Sequence, residues 1–126
     1  MNLQLNIKKT VIITDQDIDD IICTVLEGGI NYHVIEAEVV DNDYKGCNFA
    51  HEVISKGGKI ILHDAEDEIY YTQTLTKENF IEGLTKFLEL HSELIDDDNT
   101  IDCGNIDAGY ADEIIQYAIF KELIFN

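Results

Sequence analysis

The residues spaced as a metal loop would need them are Asp41, Asp43, Gly46 and Glu52. They fall at positions 1, 3, 6 and 12 of the calcium-loop pattern, where carboxylates coordinate the ion and a glycine allows the sharp turn. Two features of the chain oppose that chemistry. Lys45 stands at position 5, where a ligand oxygen belongs, and the preceding segment is strand-like where a calcium loop is entered from a helix. The pattern therefore predicts a polar turn leading into a helix. Asp41, Asp43 and Glu52 remain metal candidates with both departures counted against them, and no cofactor is expected. A second group, His63, Asp64, Glu66 and Asp67, clusters where a hairpin tip is predicted. Adjacent His and Asp on a strand point to opposite faces, so the expectation there is an acidic, solvated loop rather than an acid–base pair.

Nucleophile signals are poor. Ser55 and Ser92 lie outside any G-x-S-x-G turn. Cys103 follows Asp102, and nearby negative charge disfavours a thiolate. No glycine-rich phosphate-binding motif occurs. The sequence assigns no catalytic residue and points away from an enzyme.

Charge carries the argument further. The chain has 26 Asp+Glu against 8 Lys+Arg, a net charge of −18, and all the basic residues are lysines. Phosphate contacts and counterion release depend on Lys and Arg, so direct nucleic-acid binding is disfavoured. Anionic lipid surfaces repel the same exterior. Residues 1–63 hold ten acids and five lysines, whereas residues 64–126 hold sixteen acids and three lysines. The expected partner-binding residues are Asp17, Asp20 and Glu27, a stripe opposite the apolar face of the first helix, together with Asp96, Asp97, Asp98 and Asp102 in a loop. Spaced carboxylates on a folded surface imitate a nucleic-acid backbone. They would suit the basic groove of a protein that handles nucleic acid, with charge raising the encounter rate and buried anchors setting residence time. Tyr44 and Tyr70 are candidate anchors. The alternatives from other classes are a divalent-metal-binding module or metal-dependent enzyme, and a homo-oligomeric structural protein; self-association is compatible with the composition.

Positioning these residues falls to a predicted order of strand and helix. Leu3–Ile13 reads as one or two strands. Thr14 caps a helix whose Ile18, Ile21, Ile22, Val25 and Leu26 form one stripe, with Gly28-Gly29 as a positive-φ stop. Tyr32–Val40 alternates as a strand, and a helix follows over about 48–56, with Phe49, Ala50, Val53 and Ile54 inward. Ile60-Ile61-Leu62 marks a central strand, and Ile69–Leu75 pairs back on it. Thr76 caps a helix to about His91 with Phe80, Ile81, Leu84, Phe87 and Leu88 inward. Asp107 caps a last helix with a broad apolar face, whose two alanines, Ala111 and Ala118, permit close approach of another element. Leu123-Ile124-Phe125 is expected as an edge strand. The class is α+β: a mainly antiparallel sheet with about four helices packed on it, as a single compact acidic domain over residues 1–126.

Cys23, Cys47 and Cys103 are odd in number and lack C-x-x-C spacing, which suits a reducing compartment. With no long apolar run at the N-terminus and no membrane-length segment, the expected location is the cytoplasm.

Three runs, Val25–Tyr32, Ile54–Glu66 and Asn105–Phe120, resemble a group of small acidic proteins found in phages and mobile elements of low-GC bacteria. The resemblance spans most of the chain and brings no activity with it. It implies a setting in which small acidic inhibitors of host defence nucleases, anti-CRISPR proteins among them, are common.

Overall fold

A computed structural model of the chain describes residues 10–29, 34–64 and 72–124. The first helix, α1 (Asp15–Thr24), starts where Thr14 was expected to cap it. The box is reciprocal: the Asp17 amide donates to Thr14 Oγ1 at 3.1 Å, and the Thr14 amide donates to Asp17 Oδ2 at 2.9 Å. Ile18, Ile21, Ile22 and Val25 are buried, as their spacing predicts. The exit differs from expectation. The helix widens into a five-residue π-turn, Val25–Gly29, and Gly28 sits at φ 177°, which is extended backbone rather than a left-handed stop.

Three strands follow: β1 (Val34–Val39), β2 (Ile60–Asp64) and β3 (Thr72–Leu75). They form one antiparallel sheet in the order β1-β2-β3, so the apolar run Ile60-Ile61-Leu62 is central, as expected. The row Val39–Ile60–Leu75 crosses all three strands and is buried throughout. Glu36 and Glu38 are exposed on β1, which among the described residues pairs with β2 alone. Tyr32, His33 and residues 65–71, including most of the expected hairpin loop, lie outside the described residues.

The helix expected over 48–56 is absent. A single 3₁₀ turn, Ala50–Glu52, leads through further turns to Gly57 at φ 88°. Tight i→i+3 bonds hold it, from the Val53 amide to the Ala50 carbonyl and from the Lys56 amide to the Val53 carbonyl. Val53 and Ile54 are buried, but Phe49 is 61% exposed. The 3₁₀ repeat puts i and i+3 in line, so Phe49 is not carried onto the face that Val53 and Ile54 occupy.

The helix α2 (Lys77–Leu90) opens on a Thr76–Asn79 box and buries Phe80, Leu84, Phe87 and Leu88. The last helix, α3 (Ala108–Phe120), is capped by Asp107, whose Oδ1 accepts from the Tyr110 amide at 2.9 Å. Most of α3 is buried, Ala111, Asp112, Ile114, Ile115, Gln116, Tyr117 and Ala118 included, and it packs on α1, α2 and β3. Gln116 donates to Asp112 Oδ2 at 2.6 Å and accepts the Ile124 amide at 2.8 Å. That bond folds the segment after α3 back onto the helix, and Leu123 and Ile124 are not in a strand; Phe125 lies outside the described residues. The architecture is thus α+β with three α-helices and a three-stranded antiparallel sheet among the described residues, with one apolar cluster shared by all of them. The fourth helix was the 48–56 segment. Of the expected first strand, residues 1–9 lie outside the described residues, and Ile12 makes one parallel bridge to Thr100.

Candidate protein-binding surface

Asp17 has two structural tasks. One oxygen completes the cap of α1, and the other, Oδ1, accepts from the Cys103 thiol at 3.5 Å. A 3₁₀ turn, Cys103–Asn105, brings that thiol against α1. Burial pushes the Cys103 thiol up to about 12, and Asp17, Asp20 and Asp102 push it the same way. Two carboxylates of α1, Asp17 and Asp20, and one from a distant segment, Asp102, therefore all act on this thiol, which keeps its proton. Asp20 also accepts from Gln16 Nε2 at 2.7 Å, and Asp102 accepts from the side-chain amide of Asn105.

The turn bearing Asp96, Asp97 and Asp98 adjoins this group through the backbone. The Asp96 amide donates to the Thr100 carbonyl at 2.8 Å, and Asn99 takes φ 64°. Asp98 accepts from the Thr100 hydroxyl at 2.6 Å and from the Thr100 amide at 3.3 Å. Those two bonds, the hydroxyl first, hold its carboxyl below the usual carboxylate value. The Ile12 amide donates to the Asn99 carbonyl at 2.8 Å, two residues before the Thr14 cap, so the acidic turn lies beside the approach to α1. Ile12 itself is 57% exposed there.

Of the seven expected partner-binding residues, the structure thus groups Asp17, Asp20 and Asp102 around the Cys103 thiol, and ties the turn of Asp96, Asp97 and Asp98 to Ile12 in the approach to α1. Glu27 stands apart, in the π-turn beside Cys23 and roughly 15 Å along the helix from Asp17. Among the described residues, none of the seven is in an ion pair. Among the described residues, the lysine pairs are Lys56 with Asp15 in the first turn of α1 at 2.8 Å, Lys45 with Asp43 at 2.9 Å and Lys121 with Glu82 at 2.9 Å.

The metal candidates do not converge. Asp43 holds Lys45, and Glu52 accepts the Phe49 amide at 3.0 Å as a turn cap. Asp41 sits on a backbone at φ 55°. Among the described residues, no group of three or more His, Cys, Asp or Glu side chains is placed to hold a metal ion. The Asp41–Glu52 stretch runs through turns into the 3₁₀ turn Ala50–Glu52, without the helix that the sequence predicts after it.

His63 Nε2 lies 3.4 Å from Glu38 Oε1 across the β1–β2 ladder, while Asp64's side chain, Glu66 and Asp67 fall outside the described residues. Tyr44 is half-buried on the core, and Tyr70 lies outside the described residues. Sequence reasoning missed His91. Beyond closing α2, its ring stacks on Phe87 at 4.5 Å, meets Tyr110 at 4.8 Å and bonds Glu113 Oε2 at 3.1 Å. The Phe87-to-His91 spacing of four residues was the available signal. No helix among the described residues is long and apolar enough to cross a membrane.

No protein-family model, no curated protein and no solved structure matches this chain.

Proposed function

We propose that this chain is a small acidic binding protein that occupies a basic nucleic-acid-binding surface of another protein and so blocks it. The observation that carries the reading is the carboxylate group made by Asp17, Asp20 and Asp102 around the Cys103 thiol, in no ion pair among the described residues, with the Asp96–Asp98 turn tied to the approach to α1. Carboxylates fixed by caps and turn bonds lose little freedom on binding, so their attraction for a cationic groove is opposed by a small ordering cost. A net charge of −18 steers such an encounter. The resemblance to phage and mobile-element proteins favours a host nucleic-acid-handling protein as target, in an anti-CRISPR-like, anti-defence role. The cytoplasm is the working compartment on this reading.

The test is capture from a host lysate at low salt, followed by competition. A basic nucleic-acid-binding protein should be retained and should lose its nucleic acid to the chain. Replacing Asp96, Asp97 and Asp98 together by Asn should slow association more than it speeds dissociation. Retention of no basic partner, or direct tight binding of DNA or RNA by the chain, overturns the reading.

A further inference from the structure

The His91 ring is held by two aromatic rings and two carboxylates. It closes α2, where its amide donates to the Phe87 carbonyl at 2.9 Å. The ring stacks on the fully buried Phe87 at 4.5 Å, and Tyr110 of α3 meets it at 4.8 Å, so its plane is fixed. Nε2 lies 3.1 Å from Glu113 Oε2 on α3. Nδ1 lies 3.5 Å from Glu93 Oε1, in the 3₁₀ turn Ser92–Leu94. Among the described residues, the titratable groups that face the ring are therefore Glu93 from that turn and Glu113 and the Tyr110 phenol from α3.

Both ring nitrogens point at acceptors, and that makes the arrangement depend on a proton. A neutral imidazole carries one N–H and one bare lone pair, so it donates to only one of two carboxylates. The imidazolium donates at both nitrogens, and the carbonyl end of α2 favours its charge. Glu113 is the nearer partner, with its side chain 29% exposed; Glu93 is farther away and 64% exposed. The contact given up with the proton is the looser one, to Glu93.

The turn that Glu93 belongs to is the root of the acidic loop. The Leu94 amide donates to the His91 carbonyl at 3.0 Å, and the Asp102 amide donates to the Leu94 carbonyl at 2.9 Å. Ile95 then pairs with Ile101 and closes a short arm that carries Asp96, Asp97 and Asp98. We infer that His91 is a proton-operated latch: the imidazolium ties the Ser92–Leu94 turn to α3 and seats the Asp96–Asp98 arm, and the neutral ring releases Glu93 and loosens it. Imidazole is the side chain whose charge ordinarily changes between about pH 5 and about pH 8, where carboxylates stay ionised. On the blocking role proposed above, a seated arm loses less freedom when it meets a basic partner, so mild acid firms the grip.

The experiment is a nuclear magnetic resonance titration of the full chain from about pH 8 to about pH 5, following the His91 ring protons and the backbone amides. The amides of residues 92–102 should shift in step with the ring. Their solvent exchange, corrected for its intrinsic pH dependence, should slow by up to about fivefold on the acid side, as fits so exposed a contact. Glu93→Gln, at an exposed position, should leave the ring's own transition in place and remove the response of residues 95–102. His91→Gln should remove that response as well. Both variants are to be checked for unchanged helix content. Amides of residues 95–102 that ignore the ring's transition, or a response that survives Glu93→Gln or His91→Gln, would overturn the latch. No partner is present in the titration, so its failure and that of the blocking role are separable.

Discussion

The backbones of α2 and α3 meet at Gly83 and Ala118. A Cβ placed on Gly83 would stand 2.5 Å from the Ala118 amide nitrogen and 2.6 Å from the Ile114 carbonyl oxygen. Both atoms are backbone, and neither can swing aside. On an exposed helix, Ala in place of Gly would gain about 1 kcal/mol. Here overpacking costs about 1–3 kcal/mol and reverses the sign. Gly83→Ala should therefore lower the urea midpoint and the melting temperature. A variant as stable as the parent would show that the two helices are not in this contact.

Cys103 should be inert and should make the fold sensitive to alkali. Its thiol is raised from 9.0 to about 12, chiefly by burial, so the folded chain keeps the proton where the unfolded chain loses it. Below pH 9 both states carry the proton and the group adds no pH dependence. Above that value the unfolded state binds fewer protons, and stability falls until the folded thiol ionises near 12. The raised Cys23 thiol acts in the same direction. Iodoacetamide at pH 8 should leave Cys103 largely unmodified in the native chain and modify it in urea. Asp17→Asn, which removes one of the carboxylates that raise it, should speed native alkylation. Rapid native alkylation of Cys103 at pH 8 would contradict the burial.

Salt should stabilise the fold. Net charge of −18 sets self-repulsion against the ion pairs, and among the described residues the Lys45–Asp43, Lys56–Asp15 and Lys121–Glu82 pairs are all well exposed. Exposed pairs contribute about 0–1 kcal/mol, and salt weakens them too. Repulsion summed over 26 acids is the larger quantity. The melting temperature should rise between about 0.01 M and about 0.15 M sodium chloride, as the screening length falls from about 30 Å to about 8 Å. A fall over that range would mean that the pairs outweigh the repulsion.

Thr14→Ala should cost about 0.5–2 kcal/mol, because Thr14 Oγ1 is the acceptor for the Asp17 amide at the start of α1. Thr14→Ser keeps the oxygen and should be close to neutral. Denaturant melts of the two variants distinguish a lost cap from a general effect of substitution: equal losses would remove the cap from the account.

Much of the frame is legible in the residues because local rules decide it. Thr14, Thr76 and Asp107 cap the helices they precede, and the 3.6-residue spacing of Ile18, Ile21 and Ile22 and of Phe80, Leu84 and Phe87 identifies their buried faces. The Ile60-Ile61-Leu62 run marks the central strand for the same reason. What failed was decided elsewhere in the fold. The 48–56 segment has helical spacing, yet its backbone follows 3₁₀ bonds and Ser55 is engaged by Asp19 of α1 at 2.7 Å, a partner 36 positions away. The Leu123-Ile124 segment alternates poorly and is turned by the Gln116 side chain, which no strand rule anticipates. For the candidate surface, the residue types were readable but their grouping was not. Asp17 and Asp102 act on one thiol only because a 3₁₀ turn carries Cys103 to α1, and Glu27 is separated from Asp17 by the length of that helix.

Helix α3 sits at the junction of the layers, with the helix and sheet residues before it closing around it. The ribosome makes those surrounding elements first. Until residues 108–120 emerge, α1 and α2 present greasy, unclosed faces to the cell, and a chaperone would meet the nascent polypeptide in that interval.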